Sequence, residues 1–555
     1  MFKSFLSLAA IVLVTTVNCL GQTPKVALSA SFPEPEDGAS RLLSMKNGNT
    51  LYLHFTLKDG IIVTVYNPQH QQQATATVTS KDWNNDDMKH SELRGLYEIN
   101  GQAVIFLLQV ANRRPSFYRI IVDGETGKLV KEDKLVELHK NDYVPIGSTS
   151  RWGDIDPSNF HVEKDPASDY YAVILDTYLE DNKDVRMTVT LYAPDHSAVN
   201  QAYFEVPRTT FKTVDYQAAY VHGDEYIFLA ALGKNEWRDK DAQLMTAVLK
   251  KGDNHFQVQT LKETRGFCNP VSGVQYDAGS QTLALLTTTE SRNLNLVEDP
   301  KHSDNGHVTA LIYVNPSELT VKHFGFIKYS YISDYAKRNM DYKDDYKGLP
   351  QDFRMNADGT LSVMLEEVNP QDLTASGGFS AGSLTQFFNI GIASFDKGGK
   401  EINGYGIAKH QQTDGFFPFW RNYRRDKGSW SFHSFGAMGN HATTSFYSYQ
   451  YLHPANAEYV LFNDYNKNIR SSSESPRDRA ELVAASESST VCYRITNGKM
   501  EKFFLYGDPG DEDIHRYSIM ESTIHDVTQQ KIVTIMVEKT GRKDPKAHIA
   551  WIDFE

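Results

Sequence analysis

The residues best suited to chemistry gather in one stretch. Gly415-Phe416-Phe417-Pro418-Phe419-Trp420-Arg421-Asn422-Tyr423-Arg424-Arg425 leads into Trp430-Ser431-Phe432-His433-Ser434-Phe435. Two of the chain's six tryptophans lie here, with Arg421, Arg424 and Arg425 between them. Flat aromatic faces beside guanidinium forks suit sugars, peptide carboxylates or other acidic groups. Trp420, Arg421, Arg424, Arg425, Trp430 and His433 are therefore the candidate ligand contacts. The plainer and commoner outcome for such a stretch is a hydrophobic loop packed on its neighbours, its arginines in surface ion pairs. His433 and His441 draw attention only because they flank these aromatics; as single histidines they are more often ordinary loop or core residues.

Other chemical signals are thin. Asp82-Trp83-Asn84-Asn85-Asp86-Asp87 starts like a calcium loop, but it lacks the turn glycine and the closing glutamate. Asp508, Asp511, Glu512 and Asp513 form a second acidic loop, and solvated turns explain both. There is no Gly-x-Ser-x-Gly, His-Glu-x-x-His or phosphate-cradling glycine loop. Neither a metal nor a cofactor is expected. A carboxylate pair could still assemble from distant segments, which a sequence does not display.

Charge and cysteine content narrow the setting. The 555 residues carry 70 acidic and 57 basic side chains, a net charge of −13. Without a basic block, nucleic acid is excluded as a partner and an anionic membrane surface is disfavoured. Three cysteines rule out a disulfide scaffold. Cys268 and Cys492 are expected as buried free thiols rather than as a bridge.

Residues 1–21 have the plan of a secretory signal: Lys3, an apolar run from Phe5 to Val17, then Cys19 and Gly21 as small residues at a cleavage site. The run is too short to span a bilayer. Cleavage near Gly21 predicts export, to the periplasm or beyond the cell. Lipoprotein anchoring at Cys19 is less favoured, because Asn18 is not the small residue such a site prefers.

The elements that must position all this repeat along the chain. A turn-like cluster precedes a short apolar run eight times, with the runs beginning near Leu51, Val104, Ala172, Ile227, Leu283, Leu361, Val460 and Ile532. The mean spacing is about 69 residues. Each run is nearly continuous in apolar character, as a strand buried on both faces should be. A second strand ending in a tight turn follows most copies, as at Val63-Thr64-Val65-Tyr66 before Asn67-Pro68, and an outer strand comes next. This unit predicts an all-β fold: a β-propeller of about eight four-stranded blades, seven being the alternative. A tandem of two smaller β domains is the other architecture considered. The last repeat has only Ala547 to Phe554 left, and Val26 to Phe32 belongs to no repeat. Pairing the two would close the ring.

With its repeated turn-strand unit and its Asn-Pro and Asp-Gly turns, the chain resembles secreted bacterial β-propeller proteins over roughly residues 25–555. It carries no blade signature that would single out a functional family. The domain expectation is a signal at 1–21 and one propeller over 22–555. Insertions are placed near 329–348 (Tyr/Asp/Lys-rich, a short amphipathic helix), 409–441 (the aromatic-basic stretch) and 466–488 (polar, helical from Pro476 to Ala485).

Elaborated loops on a regular scaffold favour a non-catalytic exported protein that binds a protein, peptide or glycan through its loop face. The alternative is a glycan-acting hydrolase or lyase with carboxylates at the channel mouth. No membrane span is expected. Oligomeric state has no sequence signal.

Overall fold

In the computed structural model the described residues are 24–554 without 36–37, 57, 86–87, 89–90, 112–113, 139–159, 177–181, 237–238, 292–293, 295–305, 357, 375–379, 415–419, 429–442, 455–456 and 527–530. Residues 1–21, read from the sequence as a secretory signal, lie outside them.

The eight apolar runs are the second strands of eight antiparallel sheets. From the innermost strand, blade 1 is Ala39–Ser44, Thr50–Phe55, Ile61–Tyr66 and Gln72–Val78, and blade 2 starts at Ser91–Ile99. The inner strands of blades 3 to 7 are Phe160–Lys164, Thr213–His222, Cys268–Asp277, Leu349–Met355 and Tyr449–Leu452. In blade 8 two short strands, Ile514–Ser518 and Ile524–Asp526, share the inner edge of Lys531–Thr540.

The continuous apolar runs have a simple cause. Side chains alternate across a strand, and a blade meets a neighbour on each face. In the second strand of blade 2, Ala103, Ile105 and Leu107 pack toward blade 1. Val104, Phe106 and Leu108 pack toward blade 3. Corresponding clusters lie between every other pair of consecutive blades, including blades 8 and 1. The eight sheets thus form a closed ring, and the seven-blade alternative is excluded. Each fully buried Leu, Ile or Phe contributes about 1.5–3 kcal/mol over leaving it exposed.

Closure uses the N-terminal segment as expected. Lys25–Leu28 is the outer strand of blade 8, with Lys25 opposite Asp553 and Leu28 opposite Ala550. Phe32 pairs with Ala547. On the inner side of the same junction, Ser522 Oγ donates to Ser40 O (2.7 Å). The final sheet therefore keeps no open edge at Lys546–Asp553.

The insertions differ in form. Ser330–Asn339 is a helix, as predicted for 329–348. In 466–488 the helix is Asn466–Arg470. The stretch from Pro476 to Ala485 has only single 3-10 turns, at Pro476–Asp478 and Ala485–Glu487. The reason is visible at Arg479, which is drawn inward by Asp464 (2.9 Å) and the Tyr493 hydroxyl (2.8 Å) and so holds the chain extended. Cys268 and Cys492 are buried in blades 5 and 7 and form no bridge. No described helix is long and apolar enough to cross a membrane.

Candidate functional site: a channel plugged by its own insertion

The aromatic-basic insertion leaves blade 6 as a strand, Gln411–Asp414, paired to the extended hairpin strand Ser380–Phe395. After the undescribed residues 415–419 it forms a short helix, Arg421–Asp426. This plug helix sits against the inner strands. Trp420 enters it in the left-handed region (φ 59°) and is 0 % exposed. Its ring meets Phe353 edge-on (5.5 Å, 82°), and Phe353 stacks on Tyr423 (5.4 Å).

The polar groups of the plug reach out to seven blades. The Tyr423 hydroxyl accepts from Val274 N (2.7 Å) and donates to Val274 O (2.8 Å) in blade 5. Asn422 Nδ2 donates to Tyr449 O in blade 7 (3.2 Å). Arg425 donates to Gln450 Oε1 of blade 7 and to Met520 O of blade 8 (3.1 Å). Asp426 accepts from Arg354 in blade 6 (2.5 Å). Lys427 Nζ donates to Glu163 of blade 3 (3.1 Å) and Ala219 O of blade 4 (3.4 Å). Gly428 O accepts from Leu96 N in blade 2 (2.8 Å). Only glycine fits at 428: its φ is +76°, and a Cβ there would lie 2.7 Å from Leu96 O. Blades 2 to 8 are thereby tied to one element on the channel side.

The charges at the blade 6–8 corner form one coupled group. Arg354 lies between Asp352 (3.4 Å) and Asp426 (2.5 Å). Burial, reinforced by Asp426 and only partly offset by Arg354, pushes the Asp352 carboxyl well above the ordinary carboxylate range. Burial also acts on Asp426, but the Arg354 and Arg425 guanidiniums outweigh it and hold that carboxyl low. Burial pushes His525 down to about 3, against the pull of Asp426. Its contacts agree with a neutral ring: Nδ1 faces an Arg354 donor (2.8 Å), so Nε2 donates to Gln450 Oε1 (3.2 Å). For Lys427, burial would lower the ammonium, but Glu163 and Tyr423 prevail and raise it.

A second buried polar group stands at the root of the insertion. Lys409 Nζ donates to Glu366 Oε1 (2.6 Å), Gln411 Oε1 (3.1 Å) and Ser448 Oγ (3.3 Å), and Ser448 also bonds Glu366. A serine beside a lysine and a carboxylate is a nucleophile set by composition. Here Lys409 is fully enclosed, so the group acts as a structural knot.

The placement of the sequence-derived ligand contacts is mixed. Trp420 and Arg425 are buried in the plug, and Arg424 is half-buried on it. Arg421 opens the helix, with its side chain outside the described residues, as are Trp430, His433 and His441 altogether. The residues that answer the plug, Glu163, Asp352, Arg354, Gln450 and His525, were not singled out from sequence. One signal was present: Asp352 and Arg354 flank Phe353 as polar residues on alternate positions of a β-like run, as an inner strand facing a polar channel would. No group of three or more potential metal ligands occurs among the described residues.

No family model matches the chain, and no curated protein matches it. Solved structures with some likeness include the polysaccharide lyase Uly1 (10% identity, 83% of this chain and 90% of that one, TM-score 0.37). Another is dipeptidyl peptidase 4 of Porphyromonas gingivalis (10% identity, 92% of this chain and 60% of that one, TM-score 0.43). A third is an endo-arabinase from Bacteroides thetaiotaomicron VPI-5482 (11% identity, 47% of this chain and 93% of that one, TM-score 0.24). The eight-bladed ring stands on the sheets described above, and these likenesses add no functional argument to it.

Proposed function

We propose that the chain is an exported, non-catalytic binding propeller that recognises a protein, peptide or glycan through a loop face. The plug is the observation that carries this reading. It fills the place where a propeller enzyme would gather reactive side chains, and it engages Asp352, Arg354, Asp426 and His525 with one another. Groups held this way are spent on structure, which leaves recognition to surfaces outside the channel. Arg421, Arg424, Trp430 and His433 are the contacts proposed for the ligand, while Trp420 and Arg425 hold the insertion in place. Export rests on residues 1–21, and N-terminal sequencing of the exported protein should return Gln22.

The test is an array of glycans and peptides probed with the chain from Gln22. Trp430→Ala with His433→Ala should weaken any binding found by about tenfold or more, the effect of losing one aromatic platform and its neighbour. An array with no ligand, or binding untouched by the double variant, would overturn the assignment.

One observation favours a second reading, a glycan-acting hydrolase or lyase. Asp352 and Asp426 are pushed in opposite directions across a shared arginine, as in acid–base pairs. Release of reducing ends from polysaccharide, abolished by Asp426→Asn, would establish it in place of the first.

A further inference from the structure

A concave site lies away from the plug, at the seam where the last blade meets the first. It is a groove of about 640 Å³, within the usual range for small-molecule sites. Leu28 and Phe32 from the closing segment form one wall, and Tyr52 and Tyr66 of blade 1 the other. Gln69 and Gln71 stand at its rim. None of its lining residues belongs to an inner strand or to the plug.

The walls are held in place. Phe32 lies against Tyr52 (5.5 Å). Trp551 meets Tyr66 edge-on (5.5 Å), stacks on His70 (4.2 Å, 12°) and donates its indole N–H to Thr50 Oγ1 (3.0 Å). In the turn, Asn67 Oδ1 accepts from the backbone N–H groups of Gln69 (3.0 Å) and Gln71 (2.9 Å). His70 occupies the left-handed region (φ 63°). The corresponding hairpin turns put Gly127 and Gly399 there in blades 2 and 6 (φ 70° and 75°), and His196 and Leu319 in blades 3 and 5 (φ 68° and 58°).

Two features define the ligand. No Asp, Glu, Lys or Arg lines the groove, in a chain whose charged residues make up 23%. An acidic sugar or a peptide terminus would need a charged partner there. The Tyr52 and Tyr66 rings are buried and the Tyr52 hydroxyl is bonded to Ser40 Oγ (3.1 Å), so what the groove offers a ligand is the half-buried Phe32 and His70 rings and the amides of its turn. The side-chain amides of Gln69 and Gln71 make no hydrogen bond among the described residues, and Leu28 is 45 % exposed within the groove. Aromatic rings accept the apolar faces of sugar rings, and amides pair with their hydroxyls.

We propose that the seam groove binds a neutral oligosaccharide. The site is independent of the loop-face ligand and can fail separately from it. The test is calorimetric titration of the full chain, and of the chain from Gln22, with cellotriose, maltotriose, mannotriose and xylotriose, and with trigalacturonate as the charged counterpart. At least one neutral trisaccharide should bind with a Kd at or below about 1 mM. Gln69→Ala with Gln71→Ala, both on an exposed turn, should weaken it about tenfold with an unchanged melting temperature. Trp430→Ala should leave it unaltered. No binding by any neutral sugar, equal binding of trigalacturonate, or binding undiminished in the double glutamine variant would each overturn the proposal. In the last case the loop-face reading would still stand.

Discussion

The channel and the seam are both built where blades converge, and both combine aromatic rings with polar groups, yet they treat those groups in opposite ways. In the channel, Arg354, Asp426, Lys427 and Glu163 come from separate blades and from the plug, and each charge is met by another charge of the same chain. At the seam, Leu28, Phe32, Gln69 and Gln71 are uncharged and line an open groove. The physical reason is desolvation. A buried charge must be paired, at a cost that well-formed contacts only roughly offset, so the plug contributes a fixed arrangement more than net stability. Neutral amides keep water at little cost and release it to a ligand. A concave place rich in charged residues need not be where a protein meets its partner.

The comparison can be broken most forcefully at the seam's backbone. Removing residues 24–33 would unpair the Lys546–Asp553 edge and expose the faces of Tyr52 and Trp551. The expected result is loss of a cooperative thermal transition and of the parent chain's peak in size exclusion. An unaltered melting curve would show that closure lies elsewhere.

Next in size is the plug's aromatic root. Trp420→Ala should cost about 3–5 kcal/mol in urea unfolding while leaving trisaccharide binding at the seam intact. Joint loss of both would show the two regions to be coupled.

Arg354→Met should cost about 3 kcal/mol, because it strands Asp352 and Asp426 side by side. Adding Asp352→Asn should recover part of that loss, and no recovery would mean that the pair is not held apart by Arg354.

The pH dependence sharpens the contrast further. His525 titrates at about 3 when folded and near 6.5 when unfolded. Between those values the unfolded chain binds a proton that the folded chain does not, so this group's contribution is complete above about pH 6.5 and is lost as pH falls toward 3. Asp352 is shifted the other way and weakens the fold as pH rises above about 4. His525→Gln removes only the first slope. The stability difference, wild type minus variant, should therefore grow by on the order of 1 kcal/mol per pH unit between pH 4 and 6. A flat difference would place His525 in water.

The smallest effect belongs to His70→Gly. It relieves the left-handed strain and loses the Trp551 stack, two terms of similar size, so the net change should stay below about 1 kcal/mol. A larger loss would make His70 a structural clasp rather than a groove wall.

The sequence alone determined the blades. All eight apolar runs, from Leu51 to Ile532, are second strands, and Val26 to Phe32 joins the final sheet. Those features were legible because a strand between two neighbours is apolar on both faces wherever it occurs, and its turns are set by adjacent residues. The same local logic could find the insertion at 409–441 but not its destination. Whether Trp420 faces solvent or the core depends on Phe353 and Tyr423, and whether Asp426 is free depends on Arg354 and His525. Only ring closure brings these inner strands, and the two walls of the seam, within contact distance, so pairing in the channel and openness at the seam were decided by the tertiary structure.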